Sequence, residues 1–352
     1  MKVLMVGVDK TSLGGMLTVV ENYLNNKQFV EDTNLLYIPV TTHGGKLKKL
    51  WFSLKGYIQV VKTIKRKKPD IVHVHMSDGG SAFREGLILL TAKKMGCHTI
   101  AHMHGGNFEY WYYSQKKSIQ ILVAKLLENA EEILVLGKTW VEIYRKVTRN
   151  TVKVDVLYNA VVLPKKRYYS KTSPNFLFLS NMMKNKGIDD LLYVISTIRE
   201  SIPPKSKFLL FGADRKGDIV EKIQALSLED VVEYKGWLTN EDKEVCFRNV
   251  RANILPSYYE GLPMTILETM AFGIPNIATN IAAIPEVVEQ NKNGILIEPG
   301  DKEALKSAIL RIIDSDDLCE FLSKNAYETI RQEFSLSAHI RKLQEIYRSL
   351  LF

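Results

Sequence analysis

Two glutamates in the segment YYEGLPMTILETMAFGIP, Glu260 and Glu268, lie eight residues apart with a Gly-Pro turn between them. The pattern predicts that Glu260 lies in a loop and that a helix begins near Met264, with Glu268 in its first turns. A carboxylate accepts hydrogen bonds from two hydroxyls at once, which suits a ribose or hexose diol. Free amides at the helix start, those of Met264 and Thr265, suit a phosphate. The layout predicts a sugar-nucleotide site, although the helix dipole alone would also favour an acid at Glu268.

Two other turns between a strand and a helix carry residues that suit a phosphate. Gly14 and Gly15 follow the first strand, and glycine lets the backbone approach a ligand at a helix N-terminus. Lys186, in the sequence NKG, follows a later strand and could pair with a phosphate. Alone, the Gly14–Gly15 loop is as consistent with an ordinary turn as with a phosphate site, and Lys186 alone favours a solvated lysine at a helix start.

Four histidines fall in pairs on two predicted strands, DIVHVHM and HMHGGNF. Because alternate residues of a strand share one face, His73 lies beside His75, and His102 beside His104. We expect His73 and His102 to be buried core residues, and the pattern leaves His75 undecided. The sequence has no Asp-x-Asp in a suitable loop and no His/Cys cluster with ligand spacing, so we predict no metal site.

The segments that carry these residues alternate between strands and helices in two successive sets. A polar, basic segment with two prolines, residues 162–174, separates the sets. The pattern predicts an α/β chain with two Rossmann-like parallel-sheet domains, 1–165 and 170–335, that face each other across a cleft. Two amphipathic helices are predicted to finish the chain.

The bulk composition supports this architecture and excludes some classes of protein. A chain of 352 residues with 46% apolar content is long enough for two domains. The three cysteines have no paired spacing and are expected to be reduced thiols. No apolar run approaches the roughly 20 residues of a membrane span, and the N-terminus lacks the pattern of a secretory signal. We therefore expect a cytoplasmic protein.

Taken together, these motifs resemble the retaining glycosyltransferases of family 4, which have the GT-B fold. The resemblance covers nearly the whole chain. It is carried by GG at 14–15, KG at 186–187, KGW at 235–237, LPS at 255–257, the long segment that begins EGLPMTILE at 260, and NGILIEPGD at 293–301. Several motifs in the right order make the resemblance specific.

The resemblance implies a front-face transfer of a hexose from a nucleotide sugar, most often a UDP sugar, with no metal or other cofactor. Glu268 would hold the ribose, Glu260 the donor hexose, and Lys186 the pyrophosphate. The Gly14–Gly15 loop would lie over the pyrophosphate, and His104 would lie near the reacting sugar carbon. Glu260, Lys186 and His104 are thus the predicted catalytic residues. The other predicted donor-binding residues are Asn181, Lys184, Gly236, Trp237, Gly261, Leu262, Met264 and Thr265. The last helix, about 336–352, is expected to cross back to the first domain, as in relatives.

One position departs from the family pattern. The arginine usually found five residues before the motif lysine is replaced by Asn181. Asparagine cannot make a bidentate charged contact with phosphate. We expect Lys184 to compensate for the missing arginine.

The basic residues are concentrated in the first half of the chain. Residues 1–170 hold 26 Lys and Arg against 13 acids, whereas residues 171–352 hold 22 against 26. Residues 44–68 carry nine of these cations, no acid and a helical stripe of apolar residues. This pattern fits an amphipathic helix on an anionic membrane as well as a core-facing helix with a basic outer face. The aromatic run 108–114 is a second plausible interfacial contact.

Charge and family together predict the acceptor side of the reaction. We assign Lys48, Lys49, Trp51 and Lys55 to contact with the acceptor or the membrane. The expected acceptor is a lipid-linked glycan of bacterial capsule, exopolysaccharide or cell-wall synthesis, at the inner face of the plasma membrane. A nucleic-acid partner is not expected, because no recognised module is present, and the glycine pattern does not fit a Rossmann oxidoreductase. A sugar-nucleotide epimerase or hydrolase of the same fold and an inactive sugar-nucleotide-binding protein remain open alternatives.

Overall fold

The chain divides into two compact units. The computed structural model describes residues 1–12 and 14–352, and it describes the side chains of all of these except residues 240 and 241. The first unit comprises Met1–Ala160 together with Leu336–Phe352, and the second comprises Val161–Ser335. Each unit is built around one sheet.

Both sheets have six parallel strands. The strands of the first unit are β1 (Val3–Val8), β2 (Leu36–Thr41), β3 (Ile71–Met76), β4 (His98–Met103), β5 (Glu132–Val135) and β6 (Lys153–Val156), in the spatial order β2-β1-β3-β4-β5-β6. Those of the second unit are β7 (Asn175–Leu179), β8 (Phe208–Phe211), β9 (Val232–Gly236), β10 (Val250–Leu255), β11 (Asn276–Thr279) and β12 (Gly294–Ile297), in the order β12-β11-β10-β7-β8-β9. The inner strands β3 and β10 are buried along their whole length, as expected for sheets that are covered on both faces.

Helices connect the strands and cover the sheets. They are α1 (Gly15–Asn25), α2 (Lys27–Asp32), α3 (Lys46–Lys67), α4 (Gly80–Lys94), α5 (Phe108–Ser114), α6 (Lys117–Leu127), α7 (Val141–Val147), α8 (Ile188–Thr197), α9 (Ile219–Ala225), α10 (Asn240–Phe247), α11 (Met264–Ala271), α12 (Lys302–Asp314), α13 (Asp316–Glu333) and α14 (Leu336–Leu351). Among the described helices, none combines the length and the apolar content of a membrane-spanning segment.

The two parallel sheets with flanking helices confirm the predicted α/β fold. The sequence pattern did not predict strand β2. Its central Pro39 explains why its sequence is a weak strand signal. β2 lies at the edge of its sheet, where a missing backbone N–H is tolerated.

The prediction of two helices at the end of the chain is wrong, because three follow β12. Helix α12 ends at Asp314 and α13 begins at Asp316. The single residue between them, Ser315, adopts an extended conformation, and its side chain accepts a hydrogen bond from the backbone N–H of Leu318. This N-cap starts a new helix where the apolar pattern alone would continue the old one.

The last helix, α14, is part of the first unit. It buries His339, Leu343 and Tyr347 on one face. The Lys342 ammonium group donates to the backbone carbonyl of Val156, at the end of β6. The core of the first unit is therefore built from segments that are far apart in the sequence.

Candidate functional site

Lys186 and Glu260 form an ion pair in the second unit. The Lys186 Nζ lies 2.7 Å from Glu260 Oε1 and 3.2 Å from the backbone carbonyl of Tyr259. The Ser257 hydroxyl donates to the same Glu260 oxygen at 2.8 Å. The structure thus brings together two residues that are 74 positions apart and that were both predicted as catalytic.

A glycine allows the loops that carry this pair to approach each other. Lys186 ends a short 3-10 helix, Lys184–Lys186, and Gly187 follows with a φ of 74°. A Cβ atom at Gly187 would lie 2.0 Å from the carbonyl oxygen of Pro256, in the loop after β10. The backbone N–H of Tyr258 donates to the carbonyl of Asn185 and joins the two loops. Only glycine fits at this position, both for its φ and for its space.

Glu268 also pairs with a lysine. It is the fifth residue of α11, beyond the first turn, where the influence of the helix dipole has largely faded. The Lys243 Nζ, on α10, lies 2.8 and 2.9 Å from the two carboxylate oxygens of Glu268. Sequence reasoning missed Lys243, because a lysine 25 residues before the glutamate, on another helix, has no local signal that connects the two.

Helix α11 begins at Met264, where the sequence predicted it. Pro263 precedes it, and within the described part of the chain no side chain caps this end. The first backbone N–H groups therefore remain available to an anion. The Thr265 hydroxyl donates to the carbonyl of Leu179, the last residue of β7, and fixes the helix start to the neighbouring strand end.

The remaining predicted donor residues also follow strands of the second sheet. Asn181 and the exposed Lys184 come after β7, while Gly236 ends β9 with a φ of 71° and precedes the half-exposed Trp237. Gly261 and the buried Leu262 lie in the loop between β10 and α11. Because the carboxyl ends of parallel strands share one edge of a sheet, these residues lie along one edge of the second unit.

The first unit holds the other predicted residues. Gly14 has a φ of 140°, which favours glycine, and Gly15 begins α1. His104 follows β4 and is partly exposed. The structure therefore divides the predicted site between the units, with the phosphate and sugar-binding candidates in the second and Gly14, Gly15 and His104 in the first.

His104 is the outermost of four clustered histidines. Strands β3 and β4 are neighbours, and His75 pairs directly with His102 in their register. The ring centroids of His75, His102 and His104 lie 4.3–5.2 Å apart, and His73 stacks on His75 at 4.8 Å. His73 and His102 are fully buried, as predicted, and so is His75. Tyr23 also packs against this cluster, with its ring 5.9 Å from that of His75.

Hydrogen bonds connect the cluster to the end of the chain. His75 Nδ1 lies 2.8 Å from His104 Nε2, and His73 Nδ1 lies 2.6 Å from the Tyr347 hydroxyl on α14. Burial lowers the pKa of His73 to about 3, and burial likewise lowers the pKa of His75, His102 and His104 below the ordinary value. All four imidazoles are therefore neutral at neutral pH.

Three of these histidines are close enough to be considered as metal ligands. His73, His75 and His102 each offer a nitrogen within 4.8 Å of the other two. Both nitrogens of His73 have protein partners, since the second lies 3.3 Å from His102 Nδ1. Among the described residues, His75 Nε2 and His102 Nε2 are buried without a hydrogen-bond partner. The expectation that the chain works without a metal remains a prediction.

Two family models match the chain, one for each half. The model described as Glycosyltransferase Family 4 matches residues 18–163. The model described as Glycosyl transferases group 1 matches residues 163–329, which include the Lys186–Glu260 and Lys243–Glu268 pairs.

A curated relative is similar over most of the chain. It is the UDP-Gal:alpha-D-GlcNAc-diphosphoundecaprenol alpha-1,3-galactosyltransferase of Escherichia coli. It is 26% identical over 320 residues, which cover 84% of this chain and 79% of the relative.

Solved structures share the fold of the whole chain. Sucrose-phosphate synthase from Thermosynechococcus elongatus superimposes with a TM-score of 0.79 at 19% identity, over 100% of this chain and 99% of that one. Anabaena HepE in complex with UDP-glucose superimposes with a TM-score of 0.76 at 15% identity, over 99% of both chains.

The fold, the motif residues and the similarities agree. The chain has two six-stranded parallel sheets, with a lysine and two glutamates at one edge of the second. Two glycosyltransferase family models match the two halves of the chain. The chain therefore belongs to glycosyltransferase family 4 and has the GT-B fold.

Proposed function

We propose that this glycosyltransferase transfers a hexose, with retention of configuration, from a UDP sugar to a lipid-linked glycan acceptor in bacterial polysaccharide synthesis. The observation that carries the proposal is the edge of the second sheet, where the Lys186 ammonium group, the Glu260 and Glu268 carboxylates and the start of α11 occur together. One cation and free amides suit a diphosphate, and two acids suit the hydroxyls of two sugars.

Two similarities support UDP as the nucleotide. The name of the Escherichia coli relative specifies UDP-galactose as its donor, and HepE was solved with UDP-glucose. In this chain we expect Lys186 to bind the diphosphate, Glu260 to bind the hexose and Glu268 to bind the ribose. Trp237, which is half exposed after β9, offers a ring surface for the base.

The proposed reaction is a front-face displacement. The bond between the sugar C1 and the β-phosphate oxygen breaks while the acceptor oxygen forms a bond to C1 on the same face. The proton of the acceptor hydroxyl passes to the leaving diphosphate. Lys186 and the amides of α11 stabilise the charge that develops on that diphosphate. One Glu260 oxygen already accepts from both Lys186 and Ser257, which favours a binding role over attack on the sugar.

His104 has a different part in this proposal. Its imidazole is neutral at neutral pH, because burial lowers its pKa. A neutral ring can hydrogen-bond a sugar hydroxyl without adding charge to the site. We therefore assign His104 to orienting the donor sugar and not to proton transfer.

Lys184 is proposed to replace the arginine that this chain lacks at Asn181. Its side chain is exposed, two residues before Lys186 and on the same 3-10 helix. The Lys184→Ala variant is expected to bind UDP several-fold more weakly than the wild type. If calorimetry gave the same affinity for both, this compensation would be excluded.

Helix α3 supports a membrane-bound acceptor. Its buried face is narrow, because only Gly56, Val60 and Ile64 are buried. Five apolar residues outside this face are exposed, with Leu47 at 84% and Trp51 at 65%. The exposed apolar residues of the helix are Leu47, Leu50, Trp51, Leu54 and Ile58. Exposed apolar side chains on a helix with eight Lys or Arg residues and no acid fit the headgroup region of an anionic membrane.

The positive charge of α3 favours binding to a membrane that contains an anionic acceptor. Lys46, Lys48 and Lys49 are exposed beside Leu47, and the Lys55 ammonium group lies 5.4 Å from the centre of the Trp51 ring. The name of the Escherichia coli relative specifies a diphosphoundecaprenol-linked acceptor, which is an anionic lipid conjugate. A basic, apolar helix surface would hold the enzyme at the membrane where such an acceptor resides.

The test is release of nucleoside diphosphate from UDP, GDP and dTDP hexoses, with and without bacterial membrane lipid, by the wild type and by Glu268→Ala. We expect lipid-dependent release from one UDP sugar that is lost in the variant. NMR of the product should show that the anomeric configuration is retained.

The alternatives predict different results in the same assay. Conversion of a donor without any acceptor would support an epimerase or hydrolase. Binding of a donor with no turnover, across the whole lipid panel, would support an inactive sugar-nucleotide-binding protein. Release of GDP or dTDP in place of UDP would contradict the proposed nucleotide while leaving the transferase activity intact.

A further inference from the structure

The Glu268 carboxylate is held by a lysine that no motif includes. The Lys243 Nζ contacts both carboxylate oxygens, at 2.8 and 2.9 Å. The two side chains are only 20% and 14% exposed, so the pair is largely removed from solvent. The Lys292–Glu289 pair has the same two distances, but its side chains are 57% and 52% exposed. The same contact thus occurs in a largely buried ion pair, Lys243–Glu268, and in an exposed one, Lys292–Glu289.

The contact leaves Glu268 able to accept a ribose hydroxyl. An ionised carboxylate has about four lone-pair positions on its two oxygens. A single ammonium group that touches both oxygens uses one position on each and fixes the plane of the carboxylate. The remaining position on each oxygen points outwards, away from Lys243 and from the other oxygen, so each can accept one hydroxyl, such as the 2′-hydroxyl of a ribose.

The contact also removes an electrostatic obstacle. A nucleoside diphosphate is strongly anionic, and an uncompensated carboxylate would repel it, most strongly where solvent screening is weak. The Lys243 ammonium group cancels the charge of Glu268 without occupying all of its acceptor positions. Lys186 makes a different contact, because it touches one oxygen of Glu260 and also donates to the Tyr259 carbonyl.

We propose that Lys243 is a positioning residue for the donor nucleotide, which holds the Glu268 carboxylate in a fixed orientation and neutralises it so that one of its outward positions binds the ribose 2′-hydroxyl of an anionic donor. The inference rests on the proposed function, in which Glu268 binds the ribose. It assigns to α10 a part in selecting ribonucleotides over deoxyribonucleotides.

The experiment is calorimetric titration of the wild type, Lys243→Met, Lys243→Arg and Lys292→Met with UDP and with 2′-deoxy-UDP. Methionine keeps the approximate length of lysine without its charge, and arginine keeps the charge. We expect Lys243→Met to weaken UDP binding about tenfold and 2′-deoxy-UDP binding much less, so that the preference for the ribonucleotide collapses. Lys243→Arg should retain most of the preference, and Lys292→Met should match the wild type.

The possible outcomes separate this inference from the function on which it rests. Unchanged or tighter UDP binding by Lys243→Met, or an equal loss for both nucleotides, would overturn the role of Lys243 and leave the donor site in place. A wild type that binds neither nucleotide would overturn both proposals. Thermal unfolding of each variant identifies a loss of affinity that results from misfolding. If Lys243→Met misfolds, the ribonucleotide preference of Lys243→Arg decides: a retained preference supports the role of Lys243, and a lost preference in a folded variant overturns it.

Discussion

The Nδ1 atom of His75 lies 2.8 Å from the Nε2 atom of His104, so the partly exposed histidine is held by the buried one. His75 lies in the middle of the sheet and cannot move without disturbing β3 and β4. Because one nitrogen of His104 is occupied by this bond, only its Nδ1 is left for a ligand. The buried cluster therefore determines which ring atom His104 presents.

Replacing His75 should reduce turnover more than donor affinity. In His75→Phe the ring of His104 loses the hydrogen bond that fixes its orientation, and we expect the rate of sugar transfer to fall about tenfold. His75→Asn should recover part of the rate, since an amide can replace the lost nitrogen. Steady-state kinetics with the preferred donor check this. The control is His98→Asn at a half-exposed position paired with Glu131, where no change in rate is expected. Equal rates for wild type and His75→Phe would contradict the prediction.

Mild acid should destabilise the first unit selectively. All seven histidines of the chain lie in this unit. Burial lowers the pKa of His73 to about 3 and of His339 to about 4, below the value near 6.5 of an unfolded chain. Since the unfolded state binds protons first, this contribution to stability is complete above pH 6.5 and is lost progressively as the pH falls towards 4 and 3. For each such histidine, the free energy of unfolding should fall by about 1 kcal/mol as the pH is lowered from 6.5 to 5.5.

Hydrogen exchange at pH 7.5 and 5.5, corrected for intrinsic rates, measures this effect for each sheet. Amides of β3 and β4 should lose protection, while those of β7 and β10 keep theirs. Equal losses in the two sheets would show that the histidines are not responsible.

Gly187→Ala should damage the second unit and the donor site together. The new Cβ atom would lie 2.0 Å from the Pro256 carbonyl, and the φ of 74° is unfavourable for alanine. We expect a loss of several kcal/mol of stability and a large loss of UDP affinity, because the loops that carry Lys186 and Glu260 must separate. Gly217→Ala is a matched control: its φ is 73°, but its Cβ would meet nothing within 4 Å. This control should lose only about 1 kcal/mol by thermal unfolding. Similar losses in both variants would mean that the close approach is unimportant.

The exposed stripe of α3 should control membrane binding. We expect Trp51→Ser to weaken binding to vesicles that contain phosphatidylglycerol about tenfold, because a large side chain no longer enters the interface. The double variant Lys48→Glu/Lys49→Glu should also weaken vesicle binding, and the loss should be larger at low salt than at high salt. Vesicle co-sedimentation measures both effects. Val245→Ser, at an exposed apolar position on α10, is the control that should bind like the wild type. Binding that is indifferent to Trp51 and to both lysines would exclude this surface.

The parts of the candidate site that the sequence predicted are those with a local signal. The Gly-Pro turn and the helix start at Met264 follow from turn and capping patterns, and Lys186 and Glu260 meet because both follow parallel strands of one sheet. Lys243 could not be predicted, because its contact with Glu268 depends on how α10 and α11 pack.

The same distinction explains the first unit. The alternation of strand residues predicted which histidines share a face, but nothing local to β3 indicates that Tyr347 on α14 would bond to His73. The exposure of α3 was also undetermined, since a helix with one apolar stripe can turn it either inwards or outwards. The structure shows that Gly56, which packs closely on the backbone of β2, selects the buried side.

The membership of α14 in the first unit has a consequence for how the protein is made. A ribosome must translate all of Val161–Ser335 after the first sheet is complete and before α14 appears. At 5–20 residues per second, this interval is roughly 10–35 s. During that time Tyr347 cannot reach His73, and His339 cannot reach Tyr23. The second unit is continuous in sequence and can fold before α14 has been made. Until then, the side of the first sheet that carries His73 and His75 is not covered by α14. We expect the nascent chain to depend on chaperones during this interval.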